Sequence, residues 1–305
     1  MTHEAGRNGL SRPGTKARRL QEILLAQWRK HQTEDTLPTS GRFLFYELEQ
    51  QGLVSKIPTG KRRAGQDLSD QLTHLRECGL MPWADIVDDT RHVAAWQSAP
   101  TVADYARTAA EHARLDPWHR AKARPFLICE ARTVGGVLER RLGPEYLVPV
   151  ASTIGQCQGF LVTDVAPRLR DPHGYVFYIG DHDLAGNDIE TNTRRVLERE
   201  TGRTIGWTRI AITDEQVETL RAEGMQPIQK EDKRYKDKRP HLAFEAESLG
   251  QVEIETLVRT WLDAFLPEPL DTVLERQTRQ RAAVLRTLQN QTSRKKGPRG
   301  RTAGR

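Results

Sequence analysis

YVFYIGDHDLAGNDI, residues 175–189, is the stretch whose reading decides the fold. An unbroken apolar run ends in two carboxylates, Asp181 and Asp183, and Gly186 follows. A short apolar run bounded by turn signals fits a strand buried on both faces, the kind found in parallel sheets. In an extended segment alternate side chains point the same way, so Asp181 and Asp183 are expected to aim at one point beyond the strand. A third acid, Glu130, ends a similar run, PFLICEA, at 125–131. Carboxylate oxygens suit a hard divalent cation, which keeps several of its waters. Acids at strand ends also cap the helix that follows, so both uses stand open for this triad.

A second stretch lies far upstream. TSGRFLFYELEQQGLV, 39–54, reads as a helix capped by Thr39 or Ser40, with Phe43, Phe45, Leu48 and Leu53 as apolar positions. Arg42 and Tyr46 stand at i and i+4, on one face, close enough to serve one phosphate. A Tyr beside a Phe on an amphipathic helix also serves core packing.

Composition narrows the class. The chain has 305 residues and a net charge of +6. That length has room for two domains and tails. No apolar run nears the length of a membrane span and the start is polar and basic, so no membrane segment or signal peptide is expected. Cys78, Cys129 and Cys157 show no metal or disulfide spacing, which points to a reducing cytoplasm. Residues 292–305 hold six Lys/Arg and no acid, and residues 1–63 hold twelve Lys/Arg against six Asp/Glu. Both ends can contact phosphate non-specifically, with Lys56, Lys61, Arg62 and Arg63 as the candidate DNA contacts.

The expected organisation is an α/β chain. Residues 1–16 read as a disordered N-terminus. A winged-helix domain is expected over 17–97: helices at 17–31, 39–54 and 65–80, then a strand pair or wing over 81–96. Residues 98–123 are a linker helix and connector. From 124 to 265 strands and helices alternate, which implies a mostly parallel, Rossmann-like sheet with right-handed crossovers. Functional groups of such sheets gather at the carboxyl ends of the strands. Glu130, the loop STIGQCQG at 152–159, and Asp181 with Asp183 all fall at that edge. A charged loop at 230–240 precedes Glu245 and Glu247, which alternate with Phe244 and Ala246 as in an edge strand with one acidic face. A C-terminal helix at 266–291 and a basic tail at 292–305 close the chain.

These motifs, in this order, resemble the Spo11 and topoisomerase VI A-subunit family. Arg-x-x-Phe-Tyr at 42–46 is similar to that family's Arg-x-x-aromatic-Tyr, carried on a helix of a winged-helix domain. Glu130 followed by Asp-x-Asp at 181–183 is similar to the family's Toprim metal site. Asp-x-Asp-x-x-Gly-x-x-Ile resembles its Asp-x-Asp-Pro-x-Gly-x-x-Ile, with Leu184 where the family usually has Pro. Glu245 and Glu247 resemble an acidic strand that closes the Toprim region. The resemblance spans roughly residues 17–265 and rests on three short motifs.

It implies a Toprim domain after the winged helix and a DNA-cleaving enzyme of the type IIB topoisomerase kind. Tyr46 would be the nucleophile, forming a 5′-phosphotyrosine and a free 3′-hydroxyl on double-stranded DNA. Arg42 would stabilise the transition state. Glu130, Asp181 and Asp183 would hold Mg²⁺, with Mn²⁺ as substitute. The resemblance also implies a homodimer, a nucleoid-associated location, and a separate ATPase subunit, since the chain carries no Walker motif. Two other readings remain: a Toprim nuclease that hydrolyses DNA, of the plasmid or phage defence type, with Tyr46 structural; and a winged-helix DNA-binding protein whose Toprim domain is a scaffold.

Overall fold

Four parallel strands form the centre of the computed structural model, which describes residues 9–55, 65–87, 96–230 and 241–294. The elements run α1 (Lys16–Thr33), α2 (Gly41–Gln50), α3 (Gln66–Glu77), α4 (Val102–His112), β1 (Arg124–Cys129), α5 (Arg132–Tyr146), β2 (Val150–Ser152) and α6 (Gln158–Phe160). They continue β3 (Gly174–Ile179), α7 (Leu184–Thr201), β4 (Gly206–Ala211), α8 (Asp214–Ala222), β5 (Ile228–Lys230), β6 (His241–Ala243), α9 (Gln251–Phe265) and α10 (Leu270–Arg294). The α/β class expected from the sequence is what forms.

The sheet order is β2-β1-β3-β4, and every pairing in it is parallel. Cys129 stands opposite Ile179 on β3 and Ser152 on β2, so the carboxyl ends of the three strands lie level. Both faces of the sheet are covered, which is why β1 and β3 read as continuous apolar runs. Phe126, Ile128, Val176 and Tyr178 face a buried cluster with Leu161, Val165, Leu169, Val196 and Leu197. Phe177 turns to the other side and meets Trp261 of α9 with ring centroids 5.8 Å apart. Between β2 and β3 the helical stretch is broken into α6, a wide π turn at Leu161–Val165 and a 3-10 turn at Ala166–Leu169. Pro167 lies in that last turn and has no N–H to give the preceding carbonyls.

The three N-terminal helices form where their caps and apolar spacing place them. Thr15 and Ser40 cap α1 and α2 by accepting the amides of Arg18 and Phe43. Leu24, Leu25, Leu44, Leu48, Leu68, Leu72, Leu75, Met81 and Ile86 make their shared core. Each such side chain contributes about 1.5–3 kcal/mol on burial. The wing expected over 81–96 is not seen as a strand pair among the described residues, and 88–95 lie outside them. Instead Trp83–Asp85 form a 3-10 turn and Ile86 makes one isolated parallel bridge to Thr39. The Trp28 indole holds Asp85 at 2.7 Å, which fixes that turn on α1.

Residues 1–91 and 123–262 make one compact unit, and residues 92–122 with 263–305 make a second. The division differs from the sequence-based one, because the segment read as a linker belongs with the C-terminal helix. In that second unit α4 lies along α10, the Leu115 amide donates to Gln277 at 2.9 Å, and Trp118 is buried. Among the described residues no helix is long and apolar enough to cross a membrane.

Candidate active site

The carboxyl edge of the sheet gathers Glu130 and Asp181. They end neighbouring strands in register, and the Asp181 amide donates to Glu130 Oε2 at 3.2 Å. Asp181 Oδ1 accepts the Ala246 amide at 3.1 Å. That contact exists because His182 and Phe244 form an isolated antiparallel bridge, which lays residues 244–247 beside the turn after β3. Arg209 fixes the turn from beneath: its guanidinium donates to the carbonyls of Gly180 at 2.9 Å and Asp181 at 2.6 Å. Glu190 pairs with Arg209 and also accepts the Trp207 indole N–H at 2.7 Å. Burial pushes the Tyr178 phenol above its ordinary pKa, with Glu130 and Glu190 adding to the effect.

Gly186 is required by a close approach. A Cβ there would stand 2.3 Å from the Asp181 carbonyl oxygen and 3.2 Å from Glu130 Oε2. The motif's glycine lets α7 begin directly against the two acids.

Asp183 goes elsewhere. It is the N-cap of α7, and its Oδ1 accepts the Gly186 amide at 2.6 Å. The alternation that would aim Asp181 and Asp183 together ends where the helix starts and draws the second carboxylate to its own backbone. Among the described residues no group of three or more His, Cys, Asp or Glu is placed to hold a metal ion. Of the three carboxylates expected from the sequence, Glu130 and Asp181 are joined through the Asp181 amide, and Asp183 has its Oδ1 on the Gly186 amide. Glu130 and Asp181 are the two carboxylates of this edge that could share a hard divalent cation, which takes oxygen ligands and keeps several waters. Asp183→Ala is expected to cost about 1 kcal/mol in thermal or denaturant unfolding, while Asp183→Asn, an equal cap, is expected to keep full stability. Loss of DNA cleavage by Asp183→Asn at unchanged stability would return that residue to the metal set.

Helix α2 reaches this edge. Leu44 and Leu48 face the three-helix core, and the other side of α2 meets residues 246–249. Arg42 Nε lies 2.9 Å from Glu247 Oε1 and Arg42 Nη2 lies 2.9 Å from Glu245 Oε2. Thr133, at the start of α5, donates to Glu247 Oε1 at 2.5 Å. Glu247 is fully buried, so the edge strand with one acidic face is replaced by a 3-10 turn at Ala246–Leu249 whose acids hold α2. Burial opposes the Arg42 charge, but Glu247 and Glu245 outweigh it and raise its pKa. Burial likewise raises the Glu247 carboxyl, and Arg42 with Thr133 pulls it back.

Further contacts tie α2 to α9's approach and to α1, and the segment before α2 to α9. Gln50 donates to the Ser248 carbonyl at 2.5 Å. Glu47 accepts from His31 at 2.7 Å and Gln27 at 2.8 Å. Gln251 donates to the Thr36 carbonyl at 2.6 Å and to Glu255 at 2.7 Å, and Arg141 donates to Glu255 at 2.7 Å.

Tyr46 is 5 % exposed on the same helix. Its ring meets Phe45 edge-on at 5.6 Å, and the Arg42 guanidinium stands 5.7 Å from its centre. The structure thus brings Arg42 to the turn that binds Asp181, with Tyr46 packed behind it on the same helix, and places Asp183 as the cap of α7. Lys56, Lys61, Arg62 and Arg63 lie outside the described residues. Sequence reasoning missed Arg209 and the clamp on Arg42. No periodic signal announces an ion pair between distant segments, although Glu245 and Glu247 were visible as paired acids. No protein-family model, curated protein or solved structure matches this chain.

Proposed function

We propose that this chain cleaves double-stranded DNA at the Glu130–Asp181 edge with Mg²⁺, in the manner of the Spo11 and topoisomerase VI A-subunit family. One observation carries the reading. The two motifs that bear the resemblance, far apart in sequence, meet in the fold: Arg42 of α2 pairs with Glu245 and Glu247, whose turn also binds Asp181 through Ala246.

In this reading the Tyr46 oxygen attacks phosphorus, the bond to the 3′ oxygen breaks, and the phenolic proton passes to that oxygen. The products are a 5′-phosphotyrosine and a 3′-hydroxyl. A phenol of pKa about 10 is a weak nucleophile and a good leaving group on reversal, which suits a break that is resealed. Arg42 would stabilise charge on the phosphate. Bound Mg²⁺ would supply electrostatic stabilisation of the departing oxygen. The test is incubation with duplex DNA and Mg²⁺, denaturation in detergent, and detection of protein joined to 5′ ends.

The burial of Tyr46, 5 % exposed, favours a second reading. There Tyr46 packs α2, and the same acidic edge hydrolyses DNA with water as nucleophile. Nicking without a covalent link selects it. Cleavage of both strands in either reading calls for a homodimer, and energy coupling for a separate ATPase subunit.

The transesterification reading requires Arg42 to exchange a carboxylate for phosphate. Glu245, the less buried of its two partners, is the one a phosphate displaces. Glu245→Gln is expected to tighten DNA binding by ~5-fold, the equivalent of about 1 kcal/mol for losing one anionic competitor. Weaker binding in a titration by fluorescence anisotropy would show that Glu245 positions Arg42 for DNA instead of withholding it.

A further inference from the structure

The loop after β2 carries a side chain that folding alone does not explain. Ile154 has a φ of 50°, in the left-handed region, and its side chain is 62 % exposed. A β-branched residue is a poor occupant of that region, and an exposed apolar side chain recovers none of the strain through burial. The position is nonetheless held firmly. The parallel ladder runs past β2, with the Thr153 amide donating to the Cys129 carbonyl at 2.9 Å and the Ile154 amide to the Glu130 carbonyl at 3.1 Å. Gln156, two residues on, accepts from Asn192 of α7. Gly155 follows with a φ of 85°, and a Cβ added there would meet nothing within 4 Å. The loop tip therefore stands clear of the protein, and β1 and α7 brace it on either side.

We infer that Ile154 is an apolar wedge that enters a base step of the bound duplex beside the Glu130–Asp181 edge. The inference rests on the DNA-cleavage reading and deepens it, by naming the residue that distorts the substrate. Placement carries the choice of ligand. Ile154 occupies the rung next to Glu130, so whatever lies at the acidic edge meets it. Within a duplex, the surface that rewards an inserted branched aliphatic group is the face of an unstacked base step. Unstacking kinks the duplex at the step that lies beside the two acids.

The experiment uses the full chain and a duplex carrying 2-aminopurine, whose fluorescence rises on unstacking, in EDTA so that no strand is cut. Wild type, Ile154→Ala and Ile154→Asn are compared for binding by anisotropy, for unstacking by fluorescence, and for Tm. Wild type is expected to raise the fluorescence several-fold. Both variants are expected to bind within a few-fold of wild type and to leave the signal flat. Asn tolerates the left-handed region, so Ile154→Asn is expected to match or exceed the wild-type Tm by roughly 2–4 °C. Equal unstacking by Ile154→Ala overturns the wedge, as does a lowered Tm in both variants with unstacking unchanged. Wild-type binding without unstacking also overturns it. The cleavage reading is judged separately, by adducts or nicks with Mg²⁺: a wild type that cuts but does not unstack sinks the wedge alone, and one that unstacks but never cuts sinks the cleavage reading alone.

Discussion

Tyr46→Phe is expected to abolish the covalent protein–DNA adduct, lowering cleavage by ~10⁴-fold or more, the scale seen when an enzymatic nucleophile is removed. The substitution deletes one oxygen and keeps the ring. The edge-on contact with Phe45 at 5.6 Å and the Arg42 guanidinium at 5.7 Å both survive. The cost to the fold is about 1 kcal/mol, that of one hydrogen bond. Binding of DNA and of Mn²⁺ is expected to be unchanged. The measurement is a detergent-stopped cleavage assay with end-labelled duplex, run beside a thermal melt. Cleavage that persists in Tyr46→Phe and leaves free 5′ ends sinks the transesterification mechanism and selects hydrolysis, in agreement with the burial of that residue.

Asp181→Asn and Glu130→Gln are each expected to lower cleavage by ~100-fold, from losing about 3 kcal/mol of transition-state stabilisation. The effect is expected under both mechanisms, so it tests the site and not the nucleophile. Asn at 181 keeps an oxygen for the Ala246 amide, 3.1 Å away, and Gln at 130 keeps one for the Asp181 amide, 3.2 Å away. The fold should therefore hold, and a melt within a few degrees of wild type confirms it. Mn²⁺ affinity, read by titration calorimetry, should fall in parallel. Unchanged cleavage and unchanged Mn²⁺ binding in both variants would show that the chemistry lies elsewhere. Asp183→Asn serves as the internal comparison, because it preserves the cap on the Gly186 amide.

The cysteines give a chemical check on the packing of β1. Burial pushes the Cys129 thiol up to about 12, while Cys78 is exposed. A thiolate is the reactive form, so a mild alkylating agent at neutral pH should label Cys78 and spare Cys129 until the chain unfolds.

By itself the sequence determined the parallel α/β class, because two-sided burial leaves unbroken apolar runs such as those of β1 and β3. It also placed the start of α2 at Thr39 or Ser40, and Ser40 is the cap, its short side chain meeting the Phe43 amide three positions ahead, a relation written entirely in local spacing. The acids at the carboxyl edge were legible for the same reason. Only the tertiary structure decided what those acids do. Asp183 obeys both an alternation rule and a capping rule, and the start of α7 settled between them in favour of the cap. Glu245 and Glu247 continue a strand-like alternation on paper. In the fold β6 ends at Ala243, Phe244 bridges to His182, and the acids turn to hold Arg42. Arg209 gave no sign of its place under Asp181. Hydrophobic periodicity reports which face of an element is buried, and caps report its ends. Neither reports which distant segment brings the opposite charge, and that information exists only once the chain has closed the contact.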